Sequence, residues 1–197
     1  MRTFLCHFAA VTRITLLTAW ASIIVAALYF YFREPHTFTA ENIASFLQSF
    51  ESQIWLIFLA MSVLRGFTLL PSTPLVVAGT ILFPGQPFLV LGISIVGIIL
   101  SSSMIYFFSD LLGFSDYFER KKPRSLSRIR NGLEKPRGVA FVAAWAFFPL
   151  VPTDAVCYVA GTARMHFPKF ISAIFAGELL LCSVYVFSGF YFVGGIR

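Results

Sequence analysis

Long apolar runs separated by short charged stretches organise the whole chain. Residues 14–32, 88–108 and 167–192 are each near the roughly 20 residues that carry a helix across a bilayer, and hold few charges. Between the first two runs, residues 54–83 are as apolar but are interrupted by Arg65, Gly66, Pro71 and Pro74. Between the last two, residues 139–148 run into Pro149-Leu150-Val151-Pro152 and then a short apolar stretch to Gly161. Proline inside a helix removes an N–H and clashes with the preceding turn, so neither segment continues as one helix. Thr73 before Pro74 predicts a helix start, with Thr as N-cap and Pro at the first helical position. Each interrupted segment reads as two half-helices meeting at a break, a re-entrant hairpin that enters and leaves on one side. Such a break is tolerated at membrane depth only where it packs against protein or lines a polar cavity.

Composition turns this pattern into a fold class. The chain is 58% hydrophobic and only 12% charged, too little polar surface to cover a water-soluble domain of 197 residues. An all-α integral membrane protein is expected: an inverted repeat of re-entrant hairpin plus transmembrane helix, after one N-terminal transmembrane helix. The first run follows Arg2 and Arg13 but is too long for a signal-peptide core. It ends in Leu28-Tyr29-Phe30-Tyr31-Phe32 instead of a small-residue cleavage site, and so reads as an uncleaved helix with an aromatic belt. Residues 1–53 then comprise that helix and an outer loop, and 54–197 one membrane domain. Within it, 54–109 is the first repeat, 110–138 a basic loop and 139–197 the second repeat.

Charge sets the expected orientation. The formal net charge is +6, but the basic residues gather at the N-terminus and between Arg120 and Arg137, beside apolar segments. That distribution fits the positive-inside rule and an anionic leaflet better than nucleic acid. Loop 33–53 carries Glu34, Glu41 and Glu51 against Arg33. The N-terminus and loop 110–138 are therefore expected in the cytoplasm, and in a bacterium the membrane would be the plasma or inner membrane. Leu126, Ile129 and Leu133 suggest that the basic loop is partly an interfacial amphipathic helix. Cys6, Cys157 and Cys182 are too scattered for a disulfide framework or a metal site. His7, His36 and His166 fall in or next to loops and give no intramembrane relay. With no nucleophile–base pair, Walker loop or HExxH motif, no enzyme and no cofactor is expected.

The two halves superimpose in order. Pro71 and Pro74 match Pro149 and Pro152, and Val-Ala-Gly-Thr recurs at 77–80 and 159–162, placing Gly79 opposite Gly161. Phe83-Pro84 matches Phe167-Pro168, and Gly97, Leu100 and Ser103 match Gly177, Leu180 and Ser183, an offset of about 80 residues. Entered from opposite sides, the repeats are inverted. Inverted repeats with broken helices point to a transporter whose site lies near the midplane. A duplicated scaffold that transports nothing is the other reading.

Three charges break the symmetry. Glu178 lies in Phe175-Ala176-Gly177-Glu178-Leu179-Leu180, where a carboxylate costs several kcal/mol unless paired or protonated. It is either an interfacial residue near a helix end or a proton-carrying or substrate-coupling group. Asp154, after Pro152-Thr153, suits the first turn of a helix and a functional role alike. Arg65 either snorkels to a headgroup or pairs with Asp154 or Glu178, and its fork of donors suits a phosphate. Residues 141–148, before the second proline pair, offer no basic counterpart. Arg164 and Lys169 read as interfacial anchors.

Pro149 to Asp154 running to Tyr158-Val159-Ala160-Gly161, with Pro71-Ser72-Thr73-Pro74 and Ala78-Gly79, resembles the DedA/VTT-domain superfamily, also called SNARE-associated Golgi proteins. The resemblance covers roughly residues 65–178. It implies two re-entrant hairpins facing each other from opposite leaflets and the handling of phosphate-bearing membrane lipids. Scrambling of phospholipids and ion-coupled flipping of a polyprenyl-phosphate carrier are the activities implied, with Asp154 as the acidic residue of the second hairpin. Two departures mark a divergent member: Ser72 and Thr73 stand where DedA proteins usually carry an acid, and Trp145-Ala146-Phe147-Phe148 where many carry an arginine. The leading expectation is a flippase or scramblase with Arg65, Asp154 and Glu178 as substrate or coupling residues. The non-transporting scaffold stays as the alternative, and a homo-oligomer stays open.

Overall fold

The computed structural model describes residues 2–149 and 151–194, with side chains from Thr12 to Tyr191. Leu150 of the second proline pair and the side chains of Arg2, Cys6 and His7 lie outside the described residues. Every regular element among the described residues is helical. Three helices are long and apolar enough to span a membrane: α1 (Arg2–Arg33), α5 (Pro87–Leu111) and α10 (Phe167–Gly194). Between them lie α2 (Ala40–Gln48), α3 (Ile54–Leu64), α4 (Thr73–Leu82), α6 (Phe114–Lys121), α7 (Pro123–Leu133), α8 (Pro136–Phe147) and α9 (Thr153–Thr162). Proline opens α5, α7 and α8, where its missing N–H costs nothing and its fixed φ suits a helix.

Both proline pairs break the chain as expected, and each hairpin returns to the end it started from. At the mouth of the first, Trp55 near the start of α3 stacks on Phe83 at the end of α4, with centroids 3.7 Å apart. At the mouth of the second, the Glu134 carboxylate accepts from the His166 backbone N–H at 2.6 Å and pairs with Lys169 at 2.7 Å. These two donors hold the Glu134 carboxyl below the usual range, the Lys169 hydrogen bond contributing most. The two mouths lie at opposite ends of α5. Its start at Pro87 follows closely on Phe83 of the first mouth, and Asp110 near its other end pairs with Arg164 beside the second. The hairpins are therefore inverted with respect to each other, and their breaks meet inside the bundle.

The core follows the repeat. Helices α5 and α10 cross at the centre; α3 packs on α5 as α8 packs on α10. The return helices are exchanged, α4 lying on α10 and α9 on α5. Gly97 and Gly177 make the equivalent crossings close. A Cβ at Gly97 would lie 2.5 Å from Ser62 Cβ, and one at Gly177 would lie 2.3 Å from the Ala143 carbonyl oxygen. Gly177→Ala should thus destabilise the protein by about 1–3 kcal/mol, because a backbone carbonyl has little room to move. Gly92→Ala, with nothing within 4 Å of the added carbon, should instead stabilise it by up to about 1 kcal/mol. Thermal unfolding in detergent compares the two.

Four details differ from the expectations above. Thr73 is already helical: Ser72 occupies the N-cap, its carbonyl accepting from Leu75 and Val76 N–H with no side-chain cap. The loop after α1 contains α2, which buries Ala44 and Leu47 and packs on α4; Leu47 clusters with Phe58 and Leu75. The basic loop is mostly α6 and α7, and α8 begins within it at Pro136. Arg164 is more than an anchor. It takes the left-handed position after α9 (φ 51°), where its N–H donates to Gly161 and that of Met165 to Ala160. Its guanidinium pairs with Asp110 at 3.0 Å, tying the exit of α9 to the end of α5, and this bond raises the Arg164 pKa.

Candidate functional site

Each break is closed by a side-chain N–H bonded to a backbone carbonyl. In the first, the short helical turn Arg65–Thr68 ends at Leu69, whose left-handed backbone (φ 59°, ψ 19°) turns the chain. A residue with a Cβ adopts that conformation at a cost of order 1–2 kcal/mol. Arg65 Nη1 donates to the Leu70 carbonyl at 3.0 Å and holds the turn. In the second, the Trp145 indole N–H donates to the Pro152 carbonyl at 3.3 Å. The segment that seemed to lack a counterpart to Arg65 therefore has one. Indole supplies the hydrogen bond without the charge, so among the described residues Arg65 is the one cation of the two breaks.

That cation meets its partner across the repeat interface. Arg65 Nη1 also pairs with Asp154 Oδ2 at 3.0 Å, and their side chains are 9% and 1% exposed. Of the two partners the sequence allowed, Asp154 is the one engaged. Gly66 makes room for it: a Cβ there would sit 1.9 Å from Ser101 Oγ and 3.1 Å from Asp154 Oδ1. Arg65 Nη2 and Ser101 Oγ are buried with no hydrogen-bond partner.

Glu178 is wholly buried, not interfacial. Thr153 Oγ1 donates to Glu178 Oε1 at 2.5 Å, and the Cys182 thiol lies 3.9 Å from Oε2. The first turn of α9 thus reaches both ways, through Asp154 to the first hairpin and through Thr153 to α10. Cys157, one turn on, donates to the Thr153 carbonyl at 3.3 Å. Sequence reasoning missed Thr153 as the partner of Glu178 and Trp145 as the second closing donor.

The remaining residues singled out in the sequence frame this cluster. Pro71 and Pro74 line a cavity of about 350 Å³ together with Arg65, Tyr31, Phe38 and Phe46. It lies between α2 and the first break. Gly79 packs against Phe58 and Val90, and Gly161 lets α9 close on α5, where a Cβ would meet Ser109 Oγ at 2.1 Å. Ser72 and Thr73 are half-buried, and Pro149 is exposed. The arrangement is a mostly apolar cavity ending at a guanidinium, with two buried carboxylates behind it.

A family model described as the VTT domain matches residues 70–191. The match covers the return arm of the first hairpin, the whole of the second and nearly all of both long helices of the repeat, and begins just beyond Arg65. No curated protein matches the chain significantly, and no solved structure does.

Proposed function

Because the chain belongs to the VTT-domain family, within the DedA/VTT superfamily of membrane proteins, we propose that it moves a phosphate-bearing lipid between leaflets, Arg65 receiving the headgroup. The observation that carries this reading is the position of Arg65. Arg65 is part of the apolar cavity's lining, its Nη1 is held by Asp154 and Leu70, and its buried Nη2 has no protein partner. A guanidinium at an apolar cavity, with donor capacity its protein partners do not fill, suits an amphiphile whose polar end is a phosphate. Asp154 and Glu178, bridged through the first turn of α9, would set coupling to an ion gradient. The acidic end of the chain's first loop and the cavity would face outward, and the basic loop inward.

The test is movement of a fluorescent phospholipid in liposomes, read by quenching from outside, across a panel of phosphate-bearing lipids. Arg65→Lys keeps the charge and the pairing to Asp154 but loses the fork. Losing one charge-assisted hydrogen bond to the headgroup, worth about 1.5–3 kcal/mol, should slow movement roughly tenfold or more. The variant should stay monodisperse. No movement above protein-free liposomes for any lipid of the panel would leave the scaffold reading in its place.

A further inference from the structure

A second groove lies at the other end of the molecule, apart from Arg65. Helix α7 lies under the second hairpin, with Leu133 buried and Arg130 Nε donating to the Ala163 carbonyl at 2.8 Å. Between α6–α7 and α9 a groove of about 230 Å³ remains, walled by Phe118, Leu126, Ile129, Tyr158 and Val159, with Lys122 in the same lining. Val159 is 48% exposed, Ile129 45% and Phe118 40%, so the groove opens on the surface of the bundle. It is smaller than the roughly 300–1,000 Å³ that encloses a whole drug-sized ligand, and fits a chain segment lying along α9.

The charge around it is one-sided. Asp110 and Asp116 are engaged by Arg164 and Arg13, Glu119 is within 3.9 Å of Arg164, and Glu134 pairs with Lys169. Among the described residues, Arg120, Lys121, Lys122, Arg124 and Arg128 have no carboxylate within ion-pair distance. An apolar slot with the unneutralised Lys122 in its lining, and further unpaired cations on α6 and α7, is complementary to a molecule with an acyl chain and an anionic headgroup. We infer that this groove binds an anionic phospholipid, one acyl chain against Val159 of α9 and the headgroup at Lys122 and Arg124. The occupied groove lies on the outer side of the helix whose other face carries Asp154 and Cys157. Tyr158, in its wall, accepts a hydrogen bond from the Trp20 indole of α1 at 2.8 Å. A bound lipid would therefore brace the second hairpin against α1.

Native mass spectrometry of the full chain in detergent tests this, with phosphatidylglycerol, phosphatidylcholine and soluble glycerol 3-phosphate as probes. Phosphatidylglycerol should bind about tenfold more tightly than phosphatidylcholine, with the difference shrinking as salt is raised. The pair Lys122→Glu and Arg124→Glu, on exposed positions that do not threaten folding, should remove that preference. Val159→Trp, which fills the groove and leaves the charges, should weaken both lipids about tenfold. Equal binding of the two lipids overturns the proposal, as does competition by glycerol 3-phosphate at matched concentration. Retention of phosphatidylglycerol by the Val159→Trp variant also overturns it, because the attraction would then be that of a charged surface alone.

Discussion

Asp154→Leu should lower stability by about 3–5 kcal/mol, whereas Arg65→Met combined with Asp154→Leu should recover most of that loss and still fail to move lipid. The first effect follows from what the single change leaves behind. Arg65 would stay in a bundle where its side chain is 9% exposed, with Nη2 already unpartnered and Nη1 reduced to the Leu70 carbonyl. Breaking a buried pair by removing one ion costs that much because the other charge is left uncompensated. Replacing both ions with apolar groups of similar volume removes the desolvation penalty along with the attraction, and is often close to neutral. Unfolding in detergent should therefore rank the double variant near the parent and the single variant well below it. The liposome assay then separates the two roles of the pair. If it only fastens the hairpins, the double variant should move lipid like the parent. If Arg65 receives a headgroup, that variant should be well folded and inactive.

The sequence carried the frame of this site more fully than its contents. Two Pro-x-x-Pro pairs, each followed by Val-Ala-Gly-Thr, were enough to place two breaks and to pair Gly97 with Gly177, because a helix break and a close crossing each demand a particular residue type. Arg65, Asp154 and Glu178 stood out because charge in an apolar run is costly enough to need a reason. The partners of those charges were harder to see. Thr153 lies 25 residues from Glu178, and nothing local marks its hydroxyl as directed at α10. Trp145 was read by its apolar bulk, although a half-buried indole N–H needs an acceptor and a carbonyl at the proline break supplies one. Helix α2 was hidden by its length: nine residues are too few to span a membrane, and its apolar face is only Ile43, Ala44 and Leu47. Thr39, accepting from Asn42 N–H at 3.4 Å, was the available signal of its start. Arg164 at φ 51° had no signal at all, since that position after a helix is usually glycine.

Glu178→Gln should leave stability within about 1 kcal/mol of the parent and abolish any dependence of lipid movement on an imposed pH gradient. The amide oxygen can still accept from Thr153 Oγ1, so the link between α9 and α10 is kept. No cation lies within ion-pair distance of Glu178 among the described residues, so losing its charge forfeits no salt bridge. What disappears is the capacity to take up and release a proton inside the bundle, where the carboxyl is wholly buried. Thr153→Val provides the contrast. It removes the donor that orients Glu178 and leaves the carboxyl, so movement should slow severalfold while its gradient dependence persists. The observable is the ratio of rates with and without the gradient, measured for the parent and both variants in the same liposomes. A fall in overall rate alone would fit a structural role for either residue; a ratio near one in Glu178→Gln only would not. If that variant responds to the gradient as the parent does, coupling resides elsewhere, and Asp154, on the first turn of α9, is the other buried carboxylate among the described residues.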